Sequence, residues 1–378
     1  MRFKLTVLLL LAGSALPAGA AYDPAPGKPT EQITATQLEQ RLTAAQAKPD
    51  AELSQLLSGL ELSERLSAPR LARLNAALPG DKSHQALMLL ADSAAFLDLP
   101  DAEVPTDPVP DAAALRKMMT LLVSYVNTTV RQLPNLMAVR ETTRFEDRPQ
   151  EDVLSPTGIT TVFYQPLHYV GKGNVQVTYR DHHEVVNEGG WKAVTQEAPM
   201  RGLVTAGEFG PFLSTVVADA IHGTITWAHW EQGASQTEAV FHYVVPKEKS
   251  HYSVQFSSDM NANSSAGEPP EWQMFHVHAA YHGQIVFNPA TGAILRITIE
   301  ADMEPGEMVT KSAMLVEYGP VEIGEKSYIC PLKSVSILQN RRTRSAGQVS
   351  PGGSLKTFLN DVTFEHYRRF GSEVHILN

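Results

Sequence analysis

Cysteine is almost absent from this chain of 378 residues, which carries only Cys330. A lone thiol excludes a disulfide framework and any zinc or iron–sulfur centre built on several cysteines. Positive charge is in deficit, with 31 Lys and Arg against 41 Asp and Glu and a net charge of −10, which argues against a dedicated binder of nucleic-acid phosphates. Charged residues reach only 19% and aromatics 7%. Missing too are a Gly-x-Ser-x-Gly nucleophile elbow, a phosphate-cradling glycine loop and a His-Glu-x-x-His zinc-protease pattern. No repeat of fixed period points to a solenoid or propeller. What is present is 43% hydrophobic content over a length that suits two or three domains, enough for a substantial core.

Met1-Arg2-Phe3-Lys4 places two positive charges ahead of the apolar run Leu5 to Ala12, and Ala18-Gly19-Ala20 follows with small residues where a signal peptidase reads. This pattern predicts a secretory signal peptide over 1–20, cut after Ala20. The run is too short to cross ~30 Å of hydrocarbon as a helix, so the mature protein is expected not to span the membrane. Losing Arg2 and Lys4 takes its net charge to −12. Location in the periplasm or the medium follows as an expectation.

From 30 to 99 the pattern is helical. Thr34 with Gln37 fits a capping box ahead of Leu38, Leu42 and Ala45. Asp50 is placed to cap a second helix carrying Leu53, Leu56, Leu57 and Leu60. Ser67 with Pro69 opens a third, and a fourth runs from about Ser83 to Leu97. Residues 100–110, with Pro100, Pro105, Pro108 and Pro110, read as an extended linker. Asp111 then caps a long helix to about Leu133, whose Leu115, Met118, Met119, Leu122 and Val126 lie at core spacing.

Beyond Asn135 the period changes to two, interrupted only by a short helix within Phe209–Ile221. About a dozen strands predict a large curved antiparallel sheet, a half-open barrel spanning, with the long helix, residues 111–378. The fold class expected is therefore α+β. The clearest hairpin starts with Met274–Phe287, where Phe275, Val277, Ala279, Tyr281, Ile285 and Phe287 share one face and His276, His278, His282 and Gln284 the other. With Asn288-Pro289-Ala290-Thr291-Gly292 as the turn, 287 faces 293, His282 faces Thr298, Ala280 faces Glu300 and His278 faces Asp302. His276, His278, His282, Glu300 and Asp302 then gather on one face, a donor set that suits zinc or copper. The same groups suit an acid–base pair, or an ordinary solvated face with cross-strand charges.

Elsewhere, Asp181-His182-His183-Glu184 reads as polar surface, and His222, His229 and His242 as structural histidines. Trp227 and Trp230 fall on opposite strand faces, so they make no shared stacking platform. Cys330, before Pro331 in an apolar context, reads as buried and inert.

Leu133-Pro134-Asn135 with Arg140-Glu141-Thr142-Thr143-Arg144-Phe145, Gly207-Glu208-Phe209-Gly210-Pro211, Tyr281-His282-Gly283 and Val316-Glu317-Tyr318-Gly319-Pro320 resemble a group of uncharacterised exported bacterial proteins. The leader, long amphipathic helix, antiparallel strands and Asn-Pro-x-x-Gly turn also resemble, at fold level, the LolA-like periplasmic carriers, half-open barrels that hold acyl chains in an apolar concavity. The resemblance implies a non-enzymatic binding protein for a lipid or other apolar ligand, or for an envelope protein partner, with no cofactor. The alternatives are a metal-dependent hydrolase, with zinc the candidate metal, using the five hairpin residues, and an interaction module docking through the helical half.

Overall fold

The computed structural model describes residues 5–10, 30–155, 158–181, 183–186, 208–209, 211–234, 236–259, 272–341, 343–344, 348–349 and 354–369. Ala18–Ala20 and His182 lie outside the described residues. The apolar run near the N-terminus is a strand, β1 (Leu5–Leu10). After β2 (Glu31–Ile33), the expected capping box opens α1 (Ala35–Ala44): Thr34 Oγ1 accepts from Gln37 N at 3.2 Å, and Gln37 Oε1 accepts from Thr34 N at 2.9 Å. There follow α2 (Asp50–Ser58), β3 (Leu60–Leu62) and α3 (Ala68–Ala76), the last capped by Ser67 with proline in its first turn. Asp50 caps a different helix from the one expected. Its carboxylate accepts from the Lys82 and Ser83 N–H groups at 3.2 and 2.9 Å and so caps α4 (Asp81–Ser93). Pro49 holds the cap position of α2, and the cap residue of α4, Gly80, has no side chain to offer. Leu38, Leu53, Leu57, Leu87 and Leu90 form the core of this helical region.

Asp111 Oδ1 accepts from Ala114 N at 2.7 Å and starts the long helix α5 (Ala112–Gln132). The stranded part then runs β4 (Leu136–Arg148), β5 (Glu151–Ser155), β6 (Gly158–Val162), β7 (Gln165–Arg180), β8 (His183–Val186), α6 (Pro211–His222), β9 (Thr224–Gln232), β10 (Thr237–Val245), β11 (Tyr252–Asp259) and β12 (Trp272–His278). It continues through β13 (Ala280–Phe287), β14 (Ile294–Asp302), β15 (Val309–Ile323), β16 (Lys326–Arg341), the small pair β17 (Thr343–Arg344) and β18 (Gln348–Val349), and β19 (Leu355–Arg369).

Ten strands form one sheet in the order β8-β7-β4-β19-β16-β15-β14-β13-β10-β9, and every neighbouring pair is antiparallel. The edges β8 and β9 do not pair with each other, so the sheet is open and the fold is α+β. The long alternating stretch 274–287 is broken at Ala279: β12 belongs to a second, three-stranded sheet with β11 and, running parallel to β11, β1. Residues 158–180 are likewise divided, between β6 and the long strand β7.

Both faces of the large sheet are covered. On the inner face, Phe241, Tyr243, Tyr281, Ile285, Ile297, Ile299, Met314 and Val316 pack against Leu122 and Val126 of α5 and Phe212, Val216 and Val217 of α6. On the outer face, Phe145, Leu315, Val335, Ile337 and Leu359 meet Leu89, Ala95 and Phe96 of the helical region. Strict alternation along β15 supplies the two sets, since 314 and 316 point inward while 315 points outward. Gly292, at φ +76°, lets the β13–β14 turn approach α5 so closely that a Cβ there would lie 2.4 Å from the Leu121 carbonyl.

Candidate functional site

The hairpin expected to carry chemistry keeps its faces but not its register. Phe287 pairs with Ile294, and a bulge between Val286 and Phe287 adds one more residue, so Ala280 faces Asp302 and His282 faces Glu300. The loop is one residue longer than the turn motif implied and the bulge contributes the second step. A two-residue offset conserves parity, which is why Tyr281 and Ile297 still share the buried face while His282, Arg296 and Glu300 share the other.

The five sequence-selected residues do not converge. His276 and His278 are exposed on β12, opposite Gln255 and Ser253, and His278 Nε2 lies 2.9 Å from the Lys247 carbonyl. His282 Nδ1 lies 2.9 Å from Asp302 Oδ1, with both side chains part-exposed. Glu300 sits directly across from His282; burial pushes its carboxyl above the usual range, with His282 opposing. The structure adds His242 of β10, whose ring centroid is 6.1 Å from that of His282 and whose pKa is held down by burial and then by His282. Among the described residues, no group of three or more His, Cys, Asp and Glu side chains is arranged to hold a metal ion.

A tighter carboxylate–imidazole pair lies where sequence reasoning did not look. Asp219 of α6 is 2% exposed; it accepts from His251 N at 2.7 Å and from the Tyr281 hydroxyl at 2.9 Å, and its other oxygen is 2.6 Å from His251 Nδ1. Burial raises the Tyr281 pKa far above its ordinary value, and the neighbouring Tyr243 and Asp219 add to it. This network fastens α6 to the start of β11 and to β13. The signal available in the sequence was Asp219 itself, a charge set among Val216, Val217 and Ala220 on an apolar helix face, where it must find partners.

Two ionic clusters tie the helical region to the outer face. Glu231 of β9 is held by Arg65 at 3.0 and 2.9 Å and by Arg296 of β14 at 2.9 and 2.7 Å, each guanidinium bridging both carboxylate oxygens. Burial alone would raise the Glu231 pKa, but the two arginines outweigh it and hold it well below the carboxylate range. Lys333 of β16 lies 2.6 Å from Asp92 of α4 and 3.4 Å from Asp361 of β19. Burial lifts the Asp92 carboxyl to about 7 even against Lys333. Beside this cluster a cavity of about 340 Å³ opens between α4 and the sheet, lined by Gln85, Met88, Glu141, Phe145, Lys172 and Asp361 among others.

Trp227 and Trp230 share a face, contrary to simple alternation. Ala228 is skipped in the pairing of β9 with β10, so Trp230 faces Ala239 while Trp227 faces Phe241. This bulge resets parity and brings the two rings to 4.8 Å, edge to face. Trp230 Nε1 also donates to the Pro108 carbonyl at 3.0 Å, anchoring the linker. Cys330 is buried, and burial pushes its thiol to about 12.

No protein-family model, curated protein or solved structure matches this chain.

Proposed function

We propose that the chain is an exported, non-enzymatic binding protein, built as a LolA-like half-open barrel, that takes an apolar ligand between the inner face of its ten-stranded sheet and the helices α5 and α6. The observation that carries this reading is the covering of that face. A broad apolar surface, from Phe241 on β10 to Val316 on β15, is covered by the helices α5 and α6 together with Tyr252, Val254 and Phe256 of β11. The polar tethers of the helix α6 include the bonds of Asp219 to His251 and Tyr281 and that of the His222 carbonyl to Lys249 Nζ, all made through side chains or the helix end. A helix so held can move as a unit and expose the surface beneath it, which a hydrogen-bonded sheet cannot do without breaking its ladder.

The test is native mass spectrometry and organic extraction of the protein purified from its exported fraction, together with titration of the neutral fluorophore N-phenyl-1-naphthylamine. A co-purified lipid or saturable probe binding at one site supports the reading. Absence of both overturns it.

A further inference from the structure

One strand of the structure is made from residues that export would remove. The backbone of β1 pairs in parallel with β11 over six consecutive positions, from Leu5 opposite Tyr252 to Leu10 opposite Ser257. All six lie within 1–20, the segment expected to be cut after Ala20. The register sets Leu5, Val7 and Leu9 level with Tyr252, Val254 and Phe256, which are buried in the core that β11 shares with α6. From its other side β11 is held independently of β1. Residues Ser253 to Asp259 pair with β12, and Asp219 of α6 binds both the backbone and the ring of His251. Removal of the leader therefore leaves β11 in place and takes away its neighbour along one edge. The backbone N–H and C=O groups that faced β1 lose their ladder partner, and an edge of that kind is a template for another chain.

We infer that the processed protein uses this edge of β11 to bind an extended, uncharged, aliphatic segment of another polypeptide, added parallel to β11 as a further strand. The chemistry of the partner is read from the segment the edge accepts: Leu5-Thr6-Val7-Leu8-Leu9-Leu10 has five aliphatic residues, one hydroxyl and no charge. In this mode of recognition the main-chain hydrogen bonds supply affinity and the side chains supply the choice of sequence. The β11 strand of a second copy is a poorer match, because Ser253, Gln255 and Ser257 alternate along it with Tyr252, Val254 and Phe256. The inference rests on the exported reading proposed above and is independent of the apolar ligand in that reading.

The test uses the protein purified from its exported fraction, with its N-terminus sequenced, and a fluorescein-labelled peptide spanning residues 2–11, in which Arg2 and Lys4 aid solubility. Fluorescence anisotropy should show saturable binding of one peptide per monomer, and hydrogen exchange should slow at amides within Tyr252–Ser257. Alternate residues of a strand bond to the same neighbour, so a peptide carrying both Val7→Pro and Leu8→Pro loses a donor to β11 whichever set faces it. That peptide should bind at least about tenfold more weakly, the ratio that one net hydrogen bond supplies. Both changes lie in the peptide, so the folding of the protein is untouched. Equal binding of the proline peptide, no binding by the processed monomer, or a processed dimer whose β11 amides are already protected overturns the strand site and leaves export intact. An exported chain that still begins at Met1 overturns processing and the strand site together.

Discussion

Replacing Glu231 by glutamine keeps the shape of the side chain and removes the carboxylate that bridges Arg65 and Arg296, leaving them the more distant charge of Glu317. Their side chains are only 10% and 12% exposed, so two guanidiniums that now share a carboxylate would face each other with little solvent to screen them. Breaking a buried pair by deleting one partner costs about 3–5 kcal/mol, most of it from the charge left behind. At roughly 2.1 cal/mol/K of unfolding entropy per residue, a chain of this length loses about 4–6 °C of Tm. Arg65→Met is the control: it leaves the bidentate Glu231–Arg296 pair whole and should cost only about 1–3 kcal/mol. Urea unfolding at several pH values adds a second signature. The folded pKa of Glu231 lies below its unfolded value of about 4.3, so its contribution is full above that value and is lost as pH falls toward the folded pKa. The gap between wild type and Glu231→Gln should therefore hold from pH 8 to pH 5 and narrow below about pH 4. A gap under about 1 kcal/mol at neutral pH, or one that persists unchanged at pH 3, would refute the clamp as the element that secures the helical region.

Burial and the Glu231 charge lift the Glu238 carboxyl to about 7. Its folded pKa thus exceeds its unfolded one, so its ionisation erodes stability as pH rises from about 4.5 to 7. Glu238→Gln should be more stable than wild type at pH 8, by about 1 kcal/mol after solvent screening, and equal to it at pH 4; the same urea series reads this out. Asp219→Asn should cost about 2–4 kcal/mol and Tyr281→Phe about 1 kcal/mol, because the first strips several bonds from a buried network and the second only one; equal losses would speak against Asp219 as its hub. Gly292→Ala combines a left-handed backbone with a Cβ 2.4 Å from the Leu121 carbonyl and should lower stability by at least about 2 kcal/mol in thermal melts. Ellman's reagent should leave Cys330 unmodified in the native protein and titrate it in urea, because only the thiolate reacts.

Much of the architecture was legible because it is written in local chemistry. Thr34 with Gln37, Ser67 with Pro69 and Asp111 each mark a helix start that the structure uses. Alternation within 274–287 placed Tyr281, Ile285 and Phe287 on one face, and that face is the buried one. Register was not legible, since it depends on loop closure and bulges that leave no fixed residue signature. The offset of His282 from Thr298 to Glu300 and the skipped Ala228 that unites the two tryptophans both arose there. His276 and His278 were separated from His282 by a break at Ala279, which the unbroken alternation concealed. The ionic clusters were out of reach for another reason. Lys333 and Asp361 meet through the pairing of β16 with β19, and Asp92 of α4 joins them only when the helical region docks.

The place of β19 has a consequence for how this molecule comes into being. The strands from β13 to β16 are successive hairpins that pair with partners just made, yet β4, β7 and β8 join that block only through β19, the last strand among the described residues. Loss of Leu355–Arg369 would not trim an edge; it would divide the sheet into two pieces, each with a newly exposed row of unpaired backbone groups. Because this closing contact is also among the longest in sequence separation, sheet completion must wait for β19 and should be the slow step of folding.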